Sequence, residues 1–123
     1  MTQTVLLVED EGDIREVYAE ILRDGGYTVV EAVDGEEALL KSSLVNWDIM
    51  LLDIMLPKVD GLEVLKRIRS DAKDSHKPVI LLTNLGRESI IKEGFELGAN
   101  GYLIKSELTP DQVVAEVKGF LGK

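Results

Sequence analysis

The chain has 123 residues, 45% of them apolar, with 23 acids against 14 lysines and arginines, a formal charge of −9 and no cysteine. That length accommodates one cored domain and not two, and the absence of cysteine excludes disulfide frameworks, thiolate metal sites and cysteine nucleophiles. The acidity argues against direct nucleic-acid binding, which demands a basic face, and no apolar run approaches the roughly 18 residues of a membrane span.

Taken in order, Thr4-Val5-Leu6-Leu7-Val8 reads as a first strand. It runs directly into Glu9-Asp10-Glu11-Gly12-Asp13, four acids in five positions. Ile14, Val17, Tyr18, Ile21 and Leu22 follow at helical spacing, and Gly25-Gly26 stop that helix. Thr28 to Ala32 is a second strand. Asp34 with Glu37 forms a capping-box pattern for a second helix carrying Ala38, Leu39 and Leu40 and fading near Asn46.

Asp48 to Asp53 is the third strand. Its run Ile49-Met50-Leu51-Leu52 has no polar alternation, as suits a strand covered on both faces. It ends in Asp53, at the carboxyl end of the strand, where open α/β sheets place their ligands. A loop held by Pro57 leads to Asp60 and Glu63, a second capping pattern, and to a third helix with Leu62, Leu65 and Ile68 on its apolar stripe. Ser70 to Lys77 reads as a polar loop, with His76 solvated and Trp47 packing beside the third strand. Pro78 to Leu82 is a fourth strand delivering Thr83 and Asn84. A helix with Ile90, Ile91, Phe95 and Leu97 closes at Gly98. Gly101 to Ile104 is a short fifth strand ending at Lys105. Thr109-Pro110-Asp111-Gln112 opens the last helix, whose apolar side is Val113, Val114, Val117, Phe120 and Leu121. Five strands alternating with five helices predict a single α/β domain, a parallel sheet covered on both faces.

In such a sheet the strand ends share one edge, which brings Glu9 and Asp10, Asp53, Thr83 and Lys105 together. Three carboxylates in one cleft repel one another unless a cation joins them. Oxygen ligands without His or Cys fit a hard cation, Mg²⁺ before Ca²⁺. A carboxylate nucleophile, a divalent cation, a lysine and a hydroxyl are the parts for making and holding an aspartyl phosphate. Each residue alone has a blander reading: Glu11, Asp13, Asp34 and Asp60 as turn residues or caps, Thr83 as a strand end, Lys105 as a surface lysine. Their joint placement at the strand ends is what favours chemistry.

These residues resemble the receiver domain of bacterial two-component response regulators over essentially the whole chain, residues 1–123. The likeness is carried by Val8-Glu9-Asp10-Glu11, Leu52-Asp53-Ile54-Met55-Leu56-Pro57 with Asp60-Gly61, Leu82-Thr83, and Gly98-Ala99-Asn100-Gly101-Tyr102 leading to Lys105. The spacing adds to it, 30 residues from Asp53 to Thr83 and 22 on to Lys105. The resemblance implies a flavodoxin-like strand order 2-1-3-4-5 and a phosphorylation-dependent switch of a two-component system or phosphorelay. Asp53 would take a phosphoryl group from a sensor histidine kinase or histidine phosphotransfer protein. Asp10, Asp53 and the Met55 carbonyl would bind Mg²⁺, with Glu9 acting through water, and Thr83 and Lys105 would hold the phosphoryl oxygens. Inward movement of Thr83 would let Tyr102 swing toward the core and alter the surface of the fourth helix, fifth strand and fifth helix. A downstream effector or fused output domain would read that surface, although no output domain lies within these residues. Ile14 and Arg15 become candidates for kinase contact, with packing into the core an open alternative for Ile14. Ser106 stands where the family commonly has proline, so the loop from 105 to 109 is expected to follow a different path. Asn84 stands where a smaller residue is usual, beside the expected pocket.

The competing reading is an Mg²⁺-dependent phosphatase that also forms an aspartyl phosphate, of the haloacid-dehalogenase type. That class requires a second acid two residues after the nucleophile, and here that position is Met55. A flavodoxin-like cofactor binder needs a neutral phosphate loop, which Glu9 to Asp13 is not. The expectation is therefore a regulatory phosphoacceptor in a reducing cytoplasm, with at most self-phosphorylation and self-dephosphorylation, and with neither nucleic acid nor membrane as a direct partner.

Overall fold

The computed structural model describes residues 2–84 and 88–122. The order is β1 (Thr4–Val8), α1 (Gly12–Asp24), β2 (Thr28–Ala32), α2 (Gly35–Leu44), β3 (Ile49–Asp53), α3 (Gly61–Ser70), β4 (Val79–Thr83), α4 (Glu88–Glu96), β5 (Gly101–Ile104), a 3₁₀ turn (Lys105–Glu107) and α5 (Pro110–Leu121). All five strands are parallel, in the order β2-β1-β3-β4-β5 expected above.

Strand periodicity divides the core. Leu6, Val8, Met50, Leu52, Val79 and Leu81 face α2 and α3 with Ala38, Val64, Leu65 and Ile68. Val5, Leu7, Ile49, Leu51, Ile80 and Leu82 face α1 and α5 with Tyr18, Ala19, Leu22, Val113 and Val117. β1, β3 and β4 therefore bury both faces, which is why their sequences lack alternation.

The helix starts follow local chemistry. Asp34 accepts from Glu37 N at 2.8 Å and Asp60 from Glu63 N at 3.0 Å. Among the described residues only Thr109 and Gln112 close a reciprocal capping box. The Glu37 carboxylate returns instead to Val33 N, and Glu63 turns to Arg67. Four apolar residues assigned to helices from the sequence are exposed: Leu40 58%, Val17 47%, Phe95 44% and Phe120 38%. Trp47 is buried and His76 exposed, as read from the sequence.

The loop after β3 is clamped by close backbone approach. A Cβ on Gly61 would lie 2.3 Å from the Asp53 carbonyl oxygen, and one on Gly35 would lie 1.7 Å from that of Val59. Any side chain at either position would displace the segment that carries Asp53. Between them Lys58 adopts φ +68, uncommon for a non-glycine residue, with its ammonium 3.5 Å from Asp34 Oδ2.

The opposite end of the sheet has its own polar lock, not foreseen from the sequence. Arg69 at the end of α3 donates to the Gly98 carbonyl through Nε (3.0 Å) and Nη2 (2.8 Å), and to Asn100 Oδ1 at 2.8 Å. Asn100 Oδ1 also accepts from Val79 N at 2.9 Å. Asp74, buried within the loop read as polar, is charge-paired with Lys77 at 3.0 Å, and Lys77 lies 4.8 Å from the Trp47 ring centroid. Arg69→Met would leave the Gly98 carbonyl and half of Asn100 without donors. The expected loss is about 2–3 kcal/mol of unfolding free energy, measurable by urea denaturation.

Candidate functional site

The candidate site lies at the carboxyl ends of β1 and β3, the point at which strand order reverses. Asp53 is the last residue of β3 and is 3% exposed; Glu9, one residue past β1, is 0% exposed. Lys105, directly after β5, reaches past β4 to Asp53 and past β4 and β3 to Glu9. Its Nζ lies 2.9 Å from Asp53 Oδ2 and 2.7 Å from Glu9 Oε1, with Glu11 Oε1 at 3.8 Å. The contact to Asp53 is an aligned hydrogen bond. The one to Glu9 is an ion contact off the hydrogen-bonding direction, so the buried Oε1 has charge beside it but no aligned donor.

The other oxygens are held by the main chain. Asp53 Oδ1 accepts from Met55 N at 3.0 Å, and Glu9 Oε2 accepts from Glu11 N at 3.1 Å. Asp10 is exposed. One carboxylate oxygen from each of Glu9, Asp10 and Asp53 lies within 4.8 Å of the others. Three acids thus share a notch with one lysine.

Burial, more than the charge balance, sets the protonation. Burial pushes Asp53 up from 3.8 to about 7, the Lys105 bond opposes the rise, and the Glu9 charge adds to it. Burial works against the Lys105 charge, but its contacts with Glu9 and Asp53 together prevail and its pKa is raised. Tyr18, packed under the same corner, is raised chiefly by burial.

The acid set fits a hard divalent cation on the structure's own terms. The oxygens converge, one of them is buried without an aligned donor, and no His or Cys is present to favour a softer metal.

Not every residue singled out from sequence converges. Thr83 is buried at the end of β4, but its hydroxyl donates to the Asn84 carbonyl at 3.1 Å and not to Asp53. Tyr102 points outward, 44% exposed, edge-on to Phe95 with ring centroids 6.0 Å apart. Glu11 occupies the cap position of α1 but makes no side-chain cap bond; its carboxylate lies toward Lys105. Ser106 is accommodated in the 3₁₀ turn after Lys105. A groove of about 690 Å³ along α1 and the β2 edge is lined by Asp13, Glu16, Glu20, Asp24 and Glu31 with Arg15 and Arg23, but their carboxylates do not converge as those of Glu9, Asp10 and Asp53 do.

The sequence model of the response regulator receiver domain matches residues 5–118. The chain belongs to this family. It is 38% identical over 117 residues to the transcriptional regulatory protein ResD of Bacillus subtilis, covering 95% of this chain and 47% of ResD. It is 40% identical over 121 residues to the alkaline phosphatase synthesis transcriptional regulatory protein PhoP of the same organism, covering 98% of this chain and 49% of PhoP. Among solved structures it superposes on the Vibrio cholerae chemotaxis protein CheY4 with a TM-score of 0.91 at 30% identity, covering 98% of this chain and 99% of CheY4. This receiver domain therefore spans about half the length of the curated relatives named here, and nearly all of a CheY-like structure. It is a regulatory module of two-component signalling, not an enzyme of the usual turnover kind. No helix among the described residues is long and apolar enough to cross a membrane.

Proposed function

We propose that this receiver domain accepts a phosphoryl group on Asp53 from a histidine kinase or histidine phosphotransfer protein and signals through the α4-β5-α5 surface. The observation that carries the reading is the Lys105 bridge. One buried ammonium contacts both Asp53 and a second buried acid, Glu9, at the edge where Asp10 completes an oxygen cluster.

An Asp53 oxygen attacks phosphorus, the P–N bond of the phosphohistidine breaks, and the imidazole leaves with the bonding pair. Met55 N–H orients Asp53 by holding Oδ1. Lys105, already 2.9 Å from Oδ2, follows the charge onto the new phosphoryl oxygens. Glu9, Asp10, Asp53 and the Met55 carbonyl would hold Mg²⁺, which when bound neutralises charge shared by nucleophile and donor. An open cleft of about 470 Å³ beside Asp10, Met55 and Ile90 offers a donor an approach. Thr83 would exchange its bond to the Asn84 carbonyl for one to the phosphoryl group, and the outward Tyr102 would then have room to turn in. The exposed pair Phe95 and Tyr102 would be the part of the surface a partner senses.

The direct test is intact-protein mass spectrometry after incubation with acetyl phosphate. One phosphoryl group should appear on the wild type with Mg²⁺ and none after chelation. A mass unchanged in all conditions overturns the reading. Repeated turnover of a phosphate ester would favour the phosphatase alternative.

A further inference from the structure

Arg15, a candidate kinase contact by resemblance, has a side chain only 18% exposed, and its guanidinium is held against the end of β1 and the β2 edge. Nη1 donates to the Glu9 main-chain carbonyl at 2.9 Å, and Nε donates to Glu31 Oε1 at 3.1 Å. Glu31, on the edge strand β2, is itself fixed. Arg23 Nη2 donates to Glu31 Oε2 at 3.1 Å and to the Val29 carbonyl at 3.1 Å, and Lys41 Nζ donates to the Glu31 main-chain carbonyl. Glu9 N in turn donates to the Ala32 carbonyl at 3.1 Å. The main chain at the end of β1 is therefore tied on its N–H side to β2 and on its carbonyl side to α1, through an arginine anchored on a doubly held carboxylate.

We propose that Arg15 is a positioning residue for the divalent cation, acting through the Glu9–Asp10 peptide; the inference rests on the metal role proposed above for Glu9, Asp10 and Asp53. Asp10 is exposed, and repulsion from Glu9 and Asp53 favours its swinging out to water. The Arg15 bond to the Glu9 carbonyl fixes the peptide from which Asp10 projects, so that only rotation of the Asp10 side chain itself is left as an escape from that repulsion. The three oxygens stay gathered before the cation arrives, so less ordering remains to be done on binding. Lysine is a poor substitute, because one ammonium cannot reproduce the fork that spans a carbonyl and a carboxylate at once.

The test is calorimetric titration of the purified chain with Mg²⁺ alone, on variants first shown by circular dichroism to be folded. Arg15→Met is expected to raise the half-saturating Mg²⁺ concentration roughly 10- to 100-fold, and Arg15→Lys by less. At saturating Mg²⁺, labelling of Arg15→Met by acetyl phosphate should return to the wild-type rate. Arg23→Met removes one hold on Glu31 and leaves both Arg15 bonds, so its affinity should match the wild type. Should Arg15→Met not fold, Glu31→Gln loosens the anchor and should still weaken Mg²⁺ binding measurably. Unchanged affinity in the folded Arg15 or Glu31 variants overturns the inference, as does equal weakening in Arg23→Met, which would mark a general structural effect. A loss confined to transfer from a kinase, with Mg²⁺ affinity intact, would return Arg15 to the docking surface and also overturn it. Absence of Mg²⁺ binding by the wild type would sink the functional reading itself.

Discussion

Asp53→Asn is expected to keep the fold, take up no phosphoryl group from acetyl phosphate, and, without divalent cation at pH 8, unfold at a higher urea concentration than the wild type. The loss of labelling follows because the amide is not a nucleophile for phosphorus. The gain in stability follows from burial. Asp53 titrates near 7 in the folded protein against 3.8 in the open chain, so between those values the folded state holds a proton that the unfolded state has released. Unfolding free energy therefore falls as pH rises through this window, and the deficit is complete above about pH 7. At about 1.4 kcal/mol per pH unit the ceiling is about 4 kcal/mol, reduced by whatever water in the notch screens. Neutral asparagine removes the cost of the buried charge and should flatten the dependence. Mg²⁺ should flatten it too in the wild type, by favouring the ionised form. Urea midpoints at pH 6 and pH 8, with and without Mg²⁺, check the sign. A wild type that is more stable at pH 8 than at pH 6 without Mg²⁺ would refute the assignment of Asp53 as the strained acid.

Lys105→Met should do the reverse to stability and should slow the chemistry without abolishing it. Among the described residues no other cation lies within 4 Å of the Glu9 or Asp53 carboxylates. Removing the ammonium leaves two buried acids facing each other, a change that typically costs roughly 3–5 kcal/mol. Added Mg²⁺ should restore more stability to this variant than it gives the wild type, because the cation then has sole charge of the notch. Labelling by acetyl phosphate at saturating Mg²⁺ should fall roughly 10²- to 10³-fold, the usual penalty for losing one preorganised donor. Single-time-point mass spectra extended to a time course measure it. The double variant with Asp53→Asn should lose less stability than the single lysine change, since one of the two stranded charges is gone. A Lys105→Met protein labelled at the wild-type rate would remove the lysine from the proposed machinery.

The legible part of this protein was local. Runs such as Ile49 to Leu52 and Ile80 to Leu82 named the doubly covered strands, because a strand buried on both faces has no polar position to alternate with. Asp34, Asp60 and Thr109 marked helix starts, since a cap bonds an N–H only two or three residues away. The order of the acids, Thr83 and Lys105 along the chain pointed to one edge once the strands were counted. Helix margins were less legible. Val17 and Phe120 sit at helical spacing with buried neighbours, but spacing does not say how wide an arc the sheet covers.

What the tertiary structure alone decided concerns groups far apart in the chain. Lys105 meets both Asp53 and Glu9 because strand register, Asp53 beside Leu82 and Thr83 beside Ile104, sets how far each strand end protrudes. The rise of Asp53 toward neutral pH comes from desolvation, which sums over everything packed around the carboxylate. The hold on Arg15 at the β2 edge and the outward Tyr102 were likewise beyond a one-dimensional reading, since either side chain has room on both sides until its neighbours are in place. By itself the sequence determined which residue types arrive at the carboxyl edge. Distance and burial, which only the packed chain possesses, decided which of them share charge.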